Sequence, residues 1–253
     1  MSIGHNMHRL TIITSTFNSI NHLQNLINSV KKYKENWVQW IVVDGNSTDG
    51  TIDLLKKNID IIDNLIIEND TGIYDAWNKA LKHINGQYIC FIGSDDDIAP
   101  SYFKNVKNSL ETITNNVICF KIAIFENNKE NIKYELHKTI YVKPNKYPFE
   151  LGFHHQGTLF HVELFKKNSF DTSYKILGDL AHLTLQNQDL NPIIILTKAP
   201  QYYFNNAGVS SRKDKLILRY KERISIIKNI DGYYLYKIGL IFFYNLKIIY
   251  KSL

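Results

Sequence analysis

Ile41-Val42-Val43-Asp44-Gly45-Asn46-Ser47-Thr48-Asp49-Gly50-Thr51 is the stretch on which the fold turns. An apolar, β-branched run stops at a carboxylate, turn-forming residues follow, and Thr51 opens a helix-period segment reaching residue 58. Similar units lie on both sides. The apolar runs 10–16, 37–44, 64–68 and 88–92 alternate with helix-period segments 20–34, 51–58 and 73–84. Strands that read as continuous apolar runs are buried on both faces, and parallel neighbours need right-handed crossovers. The expected fold class is therefore α/β, with a mostly parallel, doubly wound sheet.

Ligands of such sheets bind outside the carboxyl ends of the strands. Those ends carry Ser15, Thr16, Phe17 and Asn18; Asp44, Gly45, Asn46 and Ser47; Glu68, Asn69 and Asp70; and Ser94, Asp95, Asp96 and Asp97. At a single strand end such residues would be ordinary turn and N-cap chemistry, as Ser47, Thr48 and Asp49 suggest. Repetition at all of these ends points to one ligand-binding edge.

Past Pro100 the pattern becomes a helix, 102–114, and a hairpin of 117–126 and 134–142 with its turn at 126–131. A loop around Pro144 and Pro148 leads to His154, His155, Gln156 and Gly157, then a short helix, the segment 170–188 and a strand at 192–196. No repeat or low-complexity linker separates these parts, so one domain is expected.

With 253 residues and 44% hydrophobic content the chain can bury a sizeable core. Cys90 and Cys119 sit in apolar runs without metal-like spacing and read as reduced core residues of a cytosolic protein. No signal peptide or run of about 20 apolar residues is visible. Residues 1–9 read as a leader or tag remnant. The formal charge of +6, densest over 212–223, suits an anionic partner or a solvated lysine-rich face. Nucleic acid is not expected, because the tyrosines lie in apolar segments. From Tyr233 to Lys251 aromatic and aliphatic residues are punctuated by Lys237, Lys247 and Lys251. An interfacial helix on an anionic membrane and a helix packed on the domain or on a second copy fit equally well.

Several residues suit nucleotide-sugar chemistry. Phe17 can stack on a nucleobase or fill core, and Asp44 can accept from an imide or a ribose hydroxyl. Ser94-Asp95-Asp96-Asp97 offers hard oxygen ligands for Mn2+ or Mg2+ bridging to a diphosphate. Asp179, after Gly178 at a helix start, would be held ionised by the helix dipole and could serve as general base. His154 and His155 are rivals for acid–base work and read as positioning groups.

Jointly, Thr14-Ser15-Thr16-Phe17-Asn18, the 41–51 stretch, Glu68-Asn69-Asp70-Thr71-Gly72-Ile73-Tyr74-Asp75-Ala76-Trp77-Asn78-Lys79 and Phe91-Ile92-Gly93-Ser94-Asp95-Asp96 resemble glycosyltransferase family 2, over roughly 10–210. The resemblance implies the GT-A fold, with a nucleotide-sugar-binding half (10–100), an acceptor and catalytic half (101–211) and basic, amphipathic C-terminal helices (212–253). It implies nucleotide-sugar contacts from Ser15, Phe17, Asn18, Asp44, Asp70, Asn78 and Asp95. Asp96 takes the metal place, assisted by Asp95. His155-Gln156-Gly157, Phe170 to Asp179 and Gly208-Val209-Ser210 resemble the bacterial cell-surface polysaccharide branch, whose catalytic aspartate falls at Asp179, with His154, His155 and Gln156 on the acceptor side. Many relatives carry aspartate at the place of Gly93 and a second acidic residue near Ala181 and His182. The implied activity is inverting transfer from a UDP-linked sugar to a saccharide or lipid-linked acceptor in surface polysaccharide synthesis, at or near the cytoplasmic face of the inner membrane. A homo-oligomer is left open. The alternative is a non-catalytic nucleotide-sugar or glycan-binding partner. A nucleotidyltransferase would want a glycine-rich loop with a basic residue after the first strand, which Ser15 to Asn18 do not supply.

Overall fold

The computed structural model describes residues 9–126, 128–136, 155–186, 190, 192–195, 197–205, 213–230 and 234–252. The first half alternates as the apolar runs require: β1 (Leu10–Thr16), α1 (Leu23–Tyr33), β2 (Val38–Asp44), α2 (Thr51–Lys57), β3 (Asn64–Ile67), α3 (Ile73–Leu81) and β4 (Tyr88–Phe91). Next come β5 (Asp97–Ile98), α4 (Tyr102–Thr112), β6 (Val117–Phe120), β7 (Ile122–Glu126), β8 (Asn128–Leu136), β9 (Thr158–His161), α5 (Glu163–Lys166) and α6 (Gly178–Leu185). The last elements are β10 (Pro192–Ile195), β11 (Tyr202–Asn205), α7 (Leu216–Asn229) and α8 (Tyr234–Ser252).

The main sheet has the order β10-β6-β9-β4-β1-β2-β3, parallel except for β9, which runs antiparallel between β4 and β6. Both faces are apolar. Ile12, Trp40 and Val42 join one cluster with α1 and α4, while Ile13, Ile41 and Val43 join another with α3 and α6. Burial on both faces explains why these strands show no polar alternation.

The run 117–126, expected as one arm of a hairpin, breaks at Lys121 into strands of different sheets. β7 joins β5, β11 and β8 in a smaller sheet, and β11 was not anticipated. The break is held by Lys121 O, which accepts from Gln201 N, and by Gly157 O, which accepts from Phe120 N. Gly157 has φ +71, and a Cβ there would lie 2.5 Å from Ile122 Cγ2. Only glycine lets β9 approach so closely. The hairpin itself is present, but its turn is tighter than 126–131, since Glu126 already pairs with Asn128.

At the amino ends of the strands, Gln39 closes a buried network. It accepts from Thr11 Oγ1 and Asn85 N and donates to Asn64 Oδ1 and the His83 carbonyl. The carboxyl ends are level instead, with Thr16 opposite Asp44 and Asp44 opposite Ile67. The candidate site lies at that edge.

Candidate active site

Two loops are knitted together above β1 and β2. Asp44 has no exposed surface, and its carboxylate accepts from Thr16 Oγ1 (2.7 Å), Ser47 N (2.7 Å) and Ser47 Oγ (2.8 Å). Ser47 Oγ in turn accepts from Asn18 N, and Asn18 Oδ1 accepts from Thr48 N. Asn18 (φ +49) and Asn46 (φ +66) adopt the left-handed conformation that amides tolerate. Asp44 and Asn18 thus tie the loops after β1 and β2 to each other. What faces outward is Phe17, 64% exposed, which rules out plain core packing for it. Ser15 is half-buried beside it. Gly45 lets the wall close: a Cβ there would meet Asp70 Oδ2 at 2.6 Å and Phe17 Cδ2 at 3.2 Å. Burial raises the Asp70 carboxyl above the ordinary range, against the Gly72 amide and Lys79.

The acidic loop after β4 divides its carboxylates among distinct tasks. Asp96, expected as the metal residue, is 4% exposed. It accepts from Tyr202 Oη (2.6 Å) and Asn205 N (2.9 Å), both on β11, and from Gly93 N (3.0 Å). Burial and then the charge of Asp95 push it up to about 7. Asp97 turns to α1 and accepts from Ser29 Oγ at 2.7 Å. Asp95 is half-buried and takes none of the donors that hold Asp96; burial raises it too. Gly93 lets the loop close on Asp96, since a Cβ there would lie 2.6 Å from Asp96 Oδ2.

Among the described residues no three His, Cys, Asp or Glu side chains gather as a metal cage. The donors still fit a hard cation. Mg2+ and Mn2+ are commonly bound by one or two carboxylates plus water and substrate phosphate. Burial pushes both adjacent carboxylates towards protonation, and the charge of Asp95 adds to this at Asp96, so a positive charge would relieve the pair. Of this pair Asp96 is the one anchored to the loop and to β11, and Asp95 the one that keeps exposed surface, so a cation entering from solvent would meet Asp95 first.

Asp179 opens the first turn of α6. Its Oδ2 lies 2.6 Å from His155 Nδ1, and its Oδ1 lies 3.0 Å from Tyr74 Oη. Burial alone would raise its pKa, but the charge and hydrogen bond of His155, the Leu180 amide and Tyr74 outweigh it and hold the carboxyl below its ordinary value of 3.8. Asp179 is thus held ionised mainly by His155, with the helix amide contributing. Gln156 is half-buried in the turn before β9; His154 and the segment 208–210 lie outside the described residues. Asn78, expected among the nucleotide contacts, spends its amide on a segment far along the chain. Its side chain pairs both ways with the Phe170 backbone, at 2.8 Å each, and so ties α3 to the segment leading to Asp179. His182 is buried against Phe165, their rings 4.9 Å apart, and Nε2 lies 3.1 Å from Leu164 O; burial lowers its pKa.

α3 joins the two halves. Trp77 stacks on Phe91 (4.1 Å), just before the acidic loop, and meets His155 edge-on (5.7 Å). Sequence reasoning missed Tyr202 and Asn205 as supports of Asp96 and gave no role to Tyr74. For Tyr74 the signal was its place one turn from Asp70.

The family model described as Glycosyl transferase family 2 matches residues 11–172. A putative teichuronic acid biosynthesis glycosyltransferase of Bacillus subtilis is 32% identical over 90 residues, 34% of this chain and 36% of that protein. A poly(ribitol-phosphate) beta-N-acetylglucosaminyltransferase of Staphylococcus aureus is 26% identical over 121 residues, 46% and 21% of the two. The chain thus spans well under two thirds of the length of these relatives. Among solved structures, S. aureus TarS in complex with UDP-GlcNAc is similar with TM-score 0.66 and 19% identity, over 92% of this chain and 70% of that one. A mannosyltransferase from Pyrobaculum calidifontis in complex with GDP-Man and Mn2+ is similar with TM-score 0.63 and 17% identity, over 87% and 63%. At such identities the likeness carries the GT-A fold alone. The family match is a separate matter: it begins in β1, ends in the loop before α6 and covers well over half of the sequence, so the chain belongs to glycosyltransferase family 2.

Proposed function

We propose that this chain transfers a sugar, with inversion, from a uridine-linked nucleotide sugar to a hydroxyl of a saccharide or lipid-linked saccharide during assembly of a bacterial surface polysaccharide. The observation that carries this is two separated carboxylate sites linked through one helix: Trp77 of α3 stacks on Phe91, ahead of the loop that bears Asp95 and Asp96, and meets His155, which pairs with Asp179. In this reading 10–100 grip the donor, with Phe17 stacked on the base and Asp70 beside it, while 101–211 present the acceptor. The complexes with UDP-GlcNAc and with GDP-Man and Mn2+, and the wall-polymer names of the relatives, support it.

Chemically, Asp179 takes the acceptor proton while the hydroxyl oxygen bonds to the anomeric carbon. The bond from that carbon to the diphosphate oxygen breaks, and the nucleoside diphosphate leaves with the electron pair. Mn2+ or Mg2+ held by Asp95 with Asp96 would neutralise the leaving diphosphate. A carboxylate held below its ordinary pKa is a weak base, so proton transfer is late, when the half-bonded hydroxyl has become acidic. The test is nucleotide release from a panel of nucleotide sugars with Mn2+, Mg2+ or chelator. Metal-dependent release, lost in Asp95→Ala and at least a hundredfold down in Asp179→Asn, is expected; release by neither metal, or full turnover by Asp179→Asn, overturns it.

The same reading seats the chain on an anionic membrane through α8. Ile238, Phe242, Phe243, Leu246, Ile249 and Tyr250 are exposed along one side, whereas Leu240, Ile241 and Tyr244 pack inward. α8 carries lysines and no acidic residue, which complements anionic lipid and would repel a second copy. No helix of the described residues is long and apolar enough to cross a membrane. Co-sedimentation with anionic vesicles should fall at least tenfold in Phe242→Asp/Phe243→Asp; unchanged binding refutes the seat.

A further inference from the structure

Behind Asp179 lies a buried carboxylate that the proposed chemistry leaves idle. Glu222 sits in the second turn of α7, 7% exposed, between Lys221 and Arg223. It accepts from three successive backbone amides: Lys175 N to Oε1 (2.6 Å), Ile176 N to Oε2 (3.0 Å) and Leu177 N to Oε2 (2.8 Å). Consecutive amides converging on one anion form a nest, the backbone geometry that otherwise cradles phosphate or carboxylate. Leu177 is the N-cap of α6, and Asp179 follows two residues later. From the opposite side Tyr74 Oη lies within 2.7 Å of the Ile176 carbonyl and 3.0 Å of Asp179 Oδ1. The segment 175–177 is therefore pinned between α3 and α7, and it feeds directly into the turn that aims Asp179 at His155.

We propose that Glu222 is a positioning residue for the base: its carboxylate fixes the 175–177 backbone, and through it the place of the Asp179 carboxylate. The inference rests on the reading of Asp179 as base. Among the described residues no other side chain anchors all three of these amides, and a glutamine cannot replace the glutamate fully. Its one carbonyl oxygen can accept, but its NH2 would face an amide N–H. A misplacement of about 1 Å at a reacting group costs on the order of a hundredfold in rate.

The test uses the full chain, its turnover of a nucleotide sugar followed by nucleotide release. Glu222→Gln should lower kcat at least tenfold while donor KM, nucleotide affinity by calorimetry and metal requirement stay within twofold. A purely structural role would lower the melting temperature and leave kcat of the folded enzyme unchanged; that result overturns the proposal, as does a parallel loss of donor affinity. A second measurement needs neither activity nor a variant. In the wild type, hydrogen exchange at 175–177 should be at least a hundredfold slower than at the neighbouring exposed residue 171, and equal rates overturn the proposal. If the wild type releases nucleotide from no donor, the reading of Asp179 fails, and slow exchange at 175–177 distinguishes that failure from one of the clamp.

Discussion

Gly178→Ala sets two effects of known size against each other. At the first position of α6, alanine in place of glycine gains up to about 1 kcal/mol in helix propensity. Against this, a Cβ at 178 would lie 2.7 Å from both Cδ2 and Cε2 of Tyr74 and 2.9 Å from Cζ. Carbon atoms prefer about 3.5–4.0 Å, so the ring must retreat by roughly 0.8 Å or more. It has nowhere to go: Tyr74 is 4% exposed, with Trp77 edge-on at 5.3 Å and Phe170 stacked at 5.7 Å. Overpacking of this kind costs about 1–3 kcal/mol, which exceeds the propensity gain. The expected outcome is a net loss of up to about 2 kcal/mol, a melting temperature lower by up to about 8 °C for a chain of this size. Because the displaced ring carries the hydroxyl at Asp179, kcat should fall on the order of a hundredfold. Tyr74→Phe is the control. It removes the hydroxyl without the clash and should cost less in both assays. A Gly178→Ala enzyme with wild-type kcat and an unchanged or raised melting temperature would refute the steric argument and with it the claim that Tyr74 is fixed.

Asp96→Ala strips three donors of their acceptor and should destabilise the fold by about 2–4 kcal/mol, whereas Asp95→Ala should melt within about 1 kcal/mol of wild type yet lose metal-dependent nucleotide release. Thermal melts beside release assays separate the two, and equal melting with equal activity loss would contradict the division of labour. His155→Gln should raise the Asp179 pKa by removing the partner that lowers it most, and so move the acid limb of the kcat/KM profile to higher pH. The sign for stability follows from the depressed folded-state value. The contribution of Asp179 is present above the ordinary carboxylate value and lost as pH falls through the folded one. His155→Gln should therefore be less stable than wild type at neutral pH and converge with it in strong acid; denaturant melts across pH check this.

The fold was legible because its signals are local. Apolar runs, their turn residues and the helix periods between them dictate β1 to β4 with α1 to α3. What the sequence concealed depends on contacts far along the chain. Nothing in 117–126 marks Lys121 as the break between two sheets, because the break is made by Gln201 and Gly157. Likewise a row of aspartates at 95–97 does not disclose that Asp96 is committed to Tyr202 and Asn205, more than 100 residues away, and Asp97 to Ser29. Phe17 and Asp179 could be singled out because a strand end and a helix start are local features. The tie of Asn78 to Phe170 was equally hidden, because the two lie 92 residues apart.

The long-range contacts share a direction. Asp44, Asp96 and Glu222 are each buried, and each spends its carboxylate on backbone amides or hydroxyls of the loops beside it. Asp70, Asp95 and Asp179 keep part of their surface in solvent. Asp96 and Glu222 remove backbone freedom from the segments that carry Asp95 and Asp179, and Asp44 removes it from the 45–48 loop whose Gly45 lies against Asp70. Ordering a residue costs about 1–2 kcal/mol of backbone entropy, so a site ordered beforehand binds with that cost already met in folding. On this argument an alanine at a buried acid should weaken function through disorder of its loop, and one at its exposed neighbour through loss of a contact. Hydrogen exchange of the loop amides tells these apart: it should rise in the first set of variants and stay at the wild-type rate in the second.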